Sequence, residues 1–592
     1  MTAAAQLITD NLDIWASAIK TKSAAGRGKS SKLELYGIKK LRELILELAV
    51  RGLLVPQDPN DEPASELVKK IAAEKAKMVK DGKIAKPKLL PPIGKDDEPF
   101  ALPEGWEWVH FGYIAQHNAG KTLDKGRNSG KPRDYLTTSN VYWGRFDLSG
   151  VRQMLIEETE LEKCTARKGD LLICEGGEAG RAAVWDKDCE ICFQNHVHRA
   201  RFFGDVNPYY AYRYFEKLAA SGEIENYRKG VGISNMSGKA LASIIFALPP
   251  VQMQHRIVAK VDELMTLCDQ LEQQQETSIT AHETLVQTLL DALTTASEHD
   301  DFTAAWARIA DHFDTLFTTE WSIDQLKQTI LQLAVMGKLV PQDPNDEPAS
   351  EFLNKISAEK AKLAKMAKIK KPKFLPRISD DERPFDLPDG WEWCRVWDIA
   401  HTITSGSRDW AKYYSSGGAI FVTMGNLSRD SYKLRLNDIR YVRPPTDGEG
   451  SRTRLAEKDL LISITGDVGN LGLIPARFGE AYINQHTALL RFMPECQDRY
   501  FAEFMRTPLA RYQFDAPQRG VKNSFRLSDV GEMIISVAPT RERHRIVAKL
   551  DELMTLLDGL KAKLLHSGQL AVALARATAT VAASNNERGD GA

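Results

Sequence analysis

LVPQDPNDEPASE, Leu54 to Glu66, is written again without a change at Leu339 to Glu351, 285 positions further on. A second stretch behaves the same way: RIVAKVDELMTL at Arg256–Leu267 returns as RIVAKLDELMTL at Arg545–Leu556, 289 positions on. Offsets this close, in a chain of 592 residues, mean two tandem copies of one long unit. Between the matched ends the copies have diverged almost completely. A common frame around two unlike interiors presents two different surfaces in one geometry.

Each copy opens with a short helical stretch, Thr2–Asp13 and Thr303–Asp314. The first copy adds a Gly/Ser/Lys segment, Lys20–Leu35, which reads as a flexible insertion. Apolar helices are predicted over Ile38–Val50 and Leu326–Val335, with Leu41, Ile45 and Leu48 at helical spacing. The prolines of the repeated loop bar a helix through it, while Pro63 and Pro348, beside acidic residues, suit the first turn of the next one. That helix is basic, with eight lysines in 69–88 and eight in 355–373, and stops at Lys86-Pro87 and Lys371-Pro372. An exposed, solvated helix fits this pattern, and so does a face for phosphate or a partner.

LPEGWEW (Leu102–Trp108) and LPDGWEW (Leu387–Trp393) open the two interiors, which run to His255 and His544. Short apolar runs such as Asp170-Leu-Leu-Ile-Cys174, Ile244–Leu248 and Ile462–Ile464, punctuated by glycine turns, predict mixed α+β domains. Each copy closes on a helix with a seam. Ile257, Val261, Leu264, Cys268 and Leu271 step by four and three, as do Ile546, Leu550, Leu553, Leu557, Leu560 and Leu564. This is coiled-coil spacing. Seams in both copies favour mutual antiparallel pairing over a helix packed on its own domain.

Composition narrows the class. Hydrophobic content of 43% and charged content of 27% describe an ordinary globular chain, with no apolar run long enough for a membrane span and no signal-like amino terminus. Seven cysteines without framework spacing fit a reducing cytoplasm. A net charge of −1 offers no global attraction to nucleic acid, so any phosphate contact must come from local patches.

Each interior carries an apolar run followed by a glycine loop: Asp170-Leu-Leu-Ile with Gly177-Glu-Ala-Gly180, and Asp459-Leu-Leu-Ile with Gly466-Asp-Val-Gly469. An amide–amide–histidine element follows, Gln194-Asn195-His196 and Asn484-Gln485-His486. With the duplicated helix starts at Gln254-His-Arg-Ile-Val-Ala-Lys and Arg543-His-Arg-Ile-Val-Ala-Lys, this ordered set resembles the specificity subunits of type I restriction–modification enzymes, in their longer, type IB-like branch. The resemblance covers essentially the whole chain. It implies an α+β fold with two mixed α/β target-recognition domains in a tandem pseudo-two-fold repeat, separated by long antiparallel coiled-coil-like helices. The expected segments are a helical region at 1–100, recognition domain 1 at 101–252, a central spacer with the second helical copy at 253–385, recognition domain 2 at 386–541 and a C-terminal spacer at 542–592. It further implies a cytoplasmic, non-catalytic subunit that binds double-stranded DNA, two adenine-methylating subunits and two restriction subunits. No cofactor belongs to this chain; S-adenosylmethionine, ATP and Mg are expected on the partners.

Base edges in the major groove are read by Arg or Lys at guanine and by Asn or Gln at adenine. The first interior offers Lys121, Asn140, Tyr142, Trp143, Arg145 and Arg181; the second offers Arg408, Thr423, Asn426, Arg429 and Asn470. A later loop adds Lys229, Ser234 and Asn235 in one copy, and Arg519, Lys522, Asn523 and Arg526 in the other. Positions shared by the copies (Gly180/Gly469, His196/His486, Asn140/Asn426, Arg201/Arg491) point to the fold or the DNA backbone. Positions that differ, Arg181/Asn470 above all, point to the bases. Any one of these residues also fits a solvated loop or a satisfied turn; the set carries the reading. Approximate two-fold symmetry would let the helices fix the gap between half-sites and dock partners through Ile257, Val261, Leu264, Ile546, Leu550, Leu553 and Leu557.

Three motifs are decoys. Ala119-Gly120-Lys121-Thr122 lacks the first glycine of a phosphate loop, since Ala115 stands there. Asn207-Pro208-Tyr209-Tyr210 lacks the second proline of an amino-methyltransferase signature, and Cys189-Glu-Ile-Cys192 has no second pair for zinc. His255 and His544, at helix starts, suit packing or capping. Two further readings stand beside the DNA reader: a tandem protein-interaction scaffold without DNA readout, and a self-sufficient enzyme, for which no constellation is present.

Overall fold

The computed structural model describes residues 2–22, 32–84, 90–124, 126–229, 234–366, 369, 375–408, 410–444, 450, 453–516 and 524–584. The chain divides into two compact units, Met1–Ile279 with His566–Ala592, and Thr280–Leu565.

In the first unit, helix α1 (Tyr36–Val50) buries Ile38, Leu41, Leu44, Ile45 and Leu48, the helical stripe read from the sequence. Pro63 stands as the N-cap of α2 (Ala64–Lys80), just outside the first turn. The segment expected to be a flexible insertion is closed at its base by a short hairpin, Lys20–Lys22 against Lys32–Glu34. Two four-stranded sheets form the interior, from β1 (Ala115–Ala119), β2 (Lys131–Leu136), β3 (Arg152–Ile156), β4 (Thr165–Ala166), β5 (Leu171–Cys174), β6 (Ala182–Val184), β7 (Ile191–Phe193) and β8 (Val197–Phe202). One is antiparallel in the order β6-β5-β8-β1; the other runs β3-β2-β7-β4 and contains the parallel pair β2–β7. Strand β5 explains its own run of apolar residues. Leu171 and Ile173 face a core that includes Phe215 of α3 (Pro208–Ser221), while Leu172 and Cys174 face Leu136, Trp185 and Phe193. Both faces are buried, so alternation disappears. Glu107–His110 pairs with Ile245–Leu248, tying the start of the interior to its end. The unit closes with α4 (Val251–Thr295).

The second unit repeats the plan. Helices α5 (Glu320–Val335) and α6 (Ala349–Lys365) match α1 and α2. Its strands are β9 (Ala400–Ser405), β10 (Tyr414–Ser415), β11 (Ala419–Val422), β12 (Arg440–Val442), β13 (Leu460–Ser463), β14 (Leu471–Leu473), β15 (Ala481–Ile483) and β16 (Thr487–Phe492). The antiparallel sheet, β9-β16-β13-β14, has the order of its counterpart, and β11–β15 is again the parallel pair. The fourth strand of the other sheet differs: β4 flanks β7 in the first unit, whereas β10 flanks β12 in the second. The last helix is α7 (Thr540–Ser584).

The duplicated stretches touch each other. Asp61 of the repeated loop pairs with Arg256 at the start of α4, and Asp346 pairs with Arg545 of α7 at 2.8 Å. Ala64 N–H donates to the Gly105 carbonyl and Ala349 N–H to that of Gly390, both at 2.8 Å. Each copy thus carries loop, GWEW turn and helix start as one interlocked frame.

The seams are buried at Ile257, Val261, Leu264, Ile546, Leu550 and Leu557, with Leu553 half-buried. The first half of each helix lies against its own unit. Arg42 of α1 pairs with Asp269 and Glu272 of α4, Arg213 of α3 with Asp262, and Asp324 of α5 with Lys561 of α7. The first unit's core also takes in Val572, Ala575 and Ala582 from the end of α7, and the second unit's takes in Val286, Leu290 and Leu293 from the end of α4. Each long helix therefore begins in one unit and ends in the other.

One lysine of each basic helix turns inward. Lys75 is buried and donates to the Tyr113 carbonyl at 2.9 Å; Lys360 donates to the carbonyls of Trp397 and, at 3.3 Å, Asp398. Burial lowers the pKa of both ammonium groups. The outer Lys69, Lys70 and Lys355 pair with nearby glutamates. The helices end at Lys80 and Lys365, and the expected Lys-Pro stops lie outside the described residues. No described helix is long and apolar enough to cross a membrane.

Candidate nucleic-acid interface

The glycine loop is the hub of each interior. Gly180 (φ +89°) and Gly469 (φ +83°) occupy left-handed backbone, and a Cβ on either would strike Ile224 or Phe514. This requirement places glycine at both positions. The loop Gly176-Gly177 pairs with Ser234-Asn235, while Thr465 bridges to Ser524 in the other unit. Lys121 bridges to Gln194 and Ser407 to Asn484, bringing the amide–amide–histidine elements to the same place. Segments far apart in sequence, near residues 121, 142, 178, 195 and 235, thereby converge in the first unit, and their counterparts near 407, 428, 467, 485 and 524 converge in the second.

Several shared positions hold the fold. Arg201 grips Asp170 through two hydrogen bonds of 2.9 and 2.7 Å, and Arg491 grips Asp459 through bonds of 2.7 and 2.6 Å. These bidentate pairs fix the start of the strand before each glycine loop. Asn140 and Asn426 are corrections to the set of candidate base readers. Each is 5% exposed. The Asn140 side-chain oxygen accepts from the Thr137 N–H (2.9 Å) and hydroxyl (2.8 Å), and its amide donates to the Asp147 carbonyl (3.0 Å). Asn426 does the same with Thr423 and the Arg435 carbonyl. Both asparagines close a turn with their polar groups engaged there, and the Thr423 hydroxyl serves that turn.

What remains at the rim differs between the units. In the first, Tyr142 and Arg145 are exposed on the hairpin Val141–Phe146, with the Arg145 guanidinium 4.5 Å and that of Arg181 5.4 Å from the Tyr142 ring. Arg181 donates to the Thr138 carbonyl at 2.6 Å and to Glu178 at 3.2 Å; Trp143 donates to Glu178 at 2.9 Å. Lys121 is paired with Glu160, and Lys229 and Asn235 are exposed. In the second, Arg429 donates to Asp467 at 3.2 Å and Asn470 to the same carboxylate at 3.0 Å, while Arg408 and Arg526 are exposed. Arg519, Lys522 and Asn523 lie outside the described residues. Sequence reasoning missed Glu178 and Asp467. Their signal was an acid at the same place in both glycine loops, amid residues that differ.

Beneath the first hub, His198 is 4% exposed with neither ring nitrogen hydrogen-bonded, 4.0 Å from Glu175. His117 lies within hydrogen-bonding distance of the Gly238 carbonyl (3.0 Å). Burial pushes both imidazoles below the ordinary histidine value. Among the described residues no His/Cys/Asp/Glu group has the form of a metal site. The decoys resolve as structure: Asn207 caps α3 by accepting from Tyr209 N–H at 2.9 Å, and His255 lies 3.1 Å from the Asn207 amide. Lys121 of Ala119-Gly120-Lys121-Thr122 follows a strand edge and no helix.

Residues 103–281 match the family described as the type I restriction modification DNA specificity domain. The chain is 39% identical over 578 residues to the Escherichia coli EcoAI specificity subunit, covering 94% of this chain and 95% of the relative. It is a type I restriction enzyme specificity subunit by family. The EcoEI specificity subunit of Escherichia coli is 38% identical, with 97% and 98% of the two chains covered. The HsdS subunit of Thermoanaerobacter tengcongensis shares 17% identity across 83% of this chain and 99% of its own, with a TM-score of 0.40. Membership of this family makes DNA recognition the chain's role and disfavours a scaffold that never reads DNA.

Proposed function

We propose that the chain reads DNA in two halves, with 101–252 and 386–541 as recognition domains and 1–100, 253–385 and 542–592 as the helical frame. The observation that carries this reading is the duplicated hub: one antiparallel-sheet order, one glycine loop and one turn asparagine surround rims with different side chains. Like frames set two readers in related poses, and unlike rims give two unlike half-sites, as expected of a split asymmetric DNA sequence. Tyr142, Arg145, Lys229 and Asn235 in the first domain, and Arg408 and Arg526 in the second, supply the accessible donors; Lys121, Arg519, Lys522 and Asn523 are further contacts on this reading. α4 and α7 pair as an antiparallel coiled coil that sets the gap and docks two methyltransferase subunits, to which two restriction subunits are added. Catalysis, S-adenosylmethionine, ATP and Mg belong to those partners, in the cytoplasm.

The test is a genome-wide map of N6-methyladenine in cells expressing the cognate methyltransferase subunit with and without this chain. A split motif of two unlike half-sites with a fixed unread gap, present only with the chain, is the expected result. Equal methylation without it would remove the reading.

A further inference from the structure

Trp143 and Arg429 each stand three residues after the buried turn asparagine, and Arg181 and Asn470 each stand three residues after the loop acid. The four positions meet in the same way in each unit. Glu178 accepts from the Trp143 indole (2.9 Å) and the Arg181 guanidinium (3.2 Å). Asp467 accepts from the Arg429 guanidinium (3.2 Å) and the Asn470 amide (3.0 Å). Each carboxylate thus holds one cation and one neutral N–H donor, and the cation has changed sides. In the first unit it comes from the glycine loop; in the second it comes from the segment after the turn. Residues that look like divergent base readers in the sequence are therefore alternative halves of one charge-balanced contact. The guanidinium of Arg181, with 18% of its side chain exposed, is further engaged by the Thr138 carbonyl.

We propose that Glu178 and Asp467 are positioning residues. Each clamps the segment that presents the readers onto the glycine loop, and Trp143, Arg181, Arg429 and Asn470 serve the clamp while exposed neighbours such as Tyr142 and Arg145 meet the DNA. The clamp rests on the DNA-reading proposal and refines it. A carboxylate beside the groove also repels phosphate unless it is neutralised, which is the physical reason that one arginine is retained at either side.

The experiment uses the full chain in complex with its methyltransferase subunit, with base preference read separately at each half-site from the methylation map. Glu178→Ala, which removes both bonds to the carboxylate, and Arg181→Asn, which removes the guanidinium from it, should each relax the half-site read by the first domain by roughly tenfold or more and leave the other half-site intact. Adding Trp143→Arg to Arg181→Asn returns the cation from the opposite side, as in the second unit, and should recover the original preference. Asn470→Arg, then Asn470→Arg with Arg429→Trp, repeats the design on the other half-site should the first pair fail to fold. A new base preferred by the double variant would show that position 181 reads the base and overturn the clamp. So would unchanged discrimination in Glu178→Ala, or failure of both double variants to recover. A wild-type chain that directs no split motif would instead defeat the DNA-reading proposal itself.

Discussion

Asn140 and Arg145 lie five residues apart and illustrate opposite fates for a polar side chain. Asn140 satisfies three groups of its own turn, so Asn140→Ala strands a backbone N–H and a carbonyl. The expected cost is about 1–3 kcal/mol of stability, with the methylation motif unchanged wherever the complex still assembles. Arg145 is exposed and stacks on Tyr142. Arg145→Ala should shift stability by no more than about 0.5 kcal/mol. Its effect falls on discrimination at one base of the first half-site, by about 1–3 kcal/mol. Denaturant unfolding alongside motif mapping separates the two variants. Equal effects on both measurements would contradict these roles.

At the scale of strands, the paired sheets differ in what they bury. β1 and β8 carry His117 and His198, where the matching register of β9 and β16 carries Ile403 and Ala488. Lys75 further disfavours charge on His117, while Glu175 partly favours it on His198. Because burial places both pKa values below those of the unfolded chain, unfolding takes up protons and stability falls as pH drops below about 6.5. The second unit holds one such group, half-buried His401. Hydrogen exchange at pH 7.5 and 5.5 should therefore show β1 and β8 losing protection in acid more than β9 and β16. The double variant His117→Ile with His198→Ala should remove the difference. The frame behaves alike in both units. Arg256→Ala and Arg545→Ala each leave a carboxylate that is almost wholly buried, Asp61 or Asp346, without its partner. With the arginines themselves over a third exposed, the expected loss is about 1–3 kcal/mol and similar in the two variants. Thermal unfolding of each variant tests that equality.

At the scale of the molecule, α4 and α7 are the connections between units, and their core contributions change sides between Cys268 and Val286 and between Leu557 and Val572. If helix length sets the gap between half-sites, inserting one heptad in α4 after Ile279 and another in α7 after Leu565 adds roughly 10 Å, or about three base pairs. The methylation motif should keep both half-sites and lengthen its gap accordingly. A single insertion should abolish methylation, because the two helices would no longer match.

The repeat, its period and the helices of the repeated frame were legible in the chain alone, because duplicated stretches and helical spacing are local signals; helices inside the interiors, such as α3, were not. The hub was legible too, from its glycine loops and the apolar run before each. Its contents were not. Asn140 and Asn426 have the side chain of an adenine reader, and although their presence in both copies already pointed to the fold or the DNA backbone, only burial and three hydrogen bonds show them as turn locks. Arg181 and Asn470 differ as specificity residues should, yet both bond to a loop acid that drew no notice in the sequence. The seam spacing was visible, but the meeting of α1 with α4 required contacts between residues more than two hundred positions apart. A sequence records which groups can bond; only the folded chain decides which partners reach them first, because burial makes an unpaired polar group costly and so settles its bonds inside the fold.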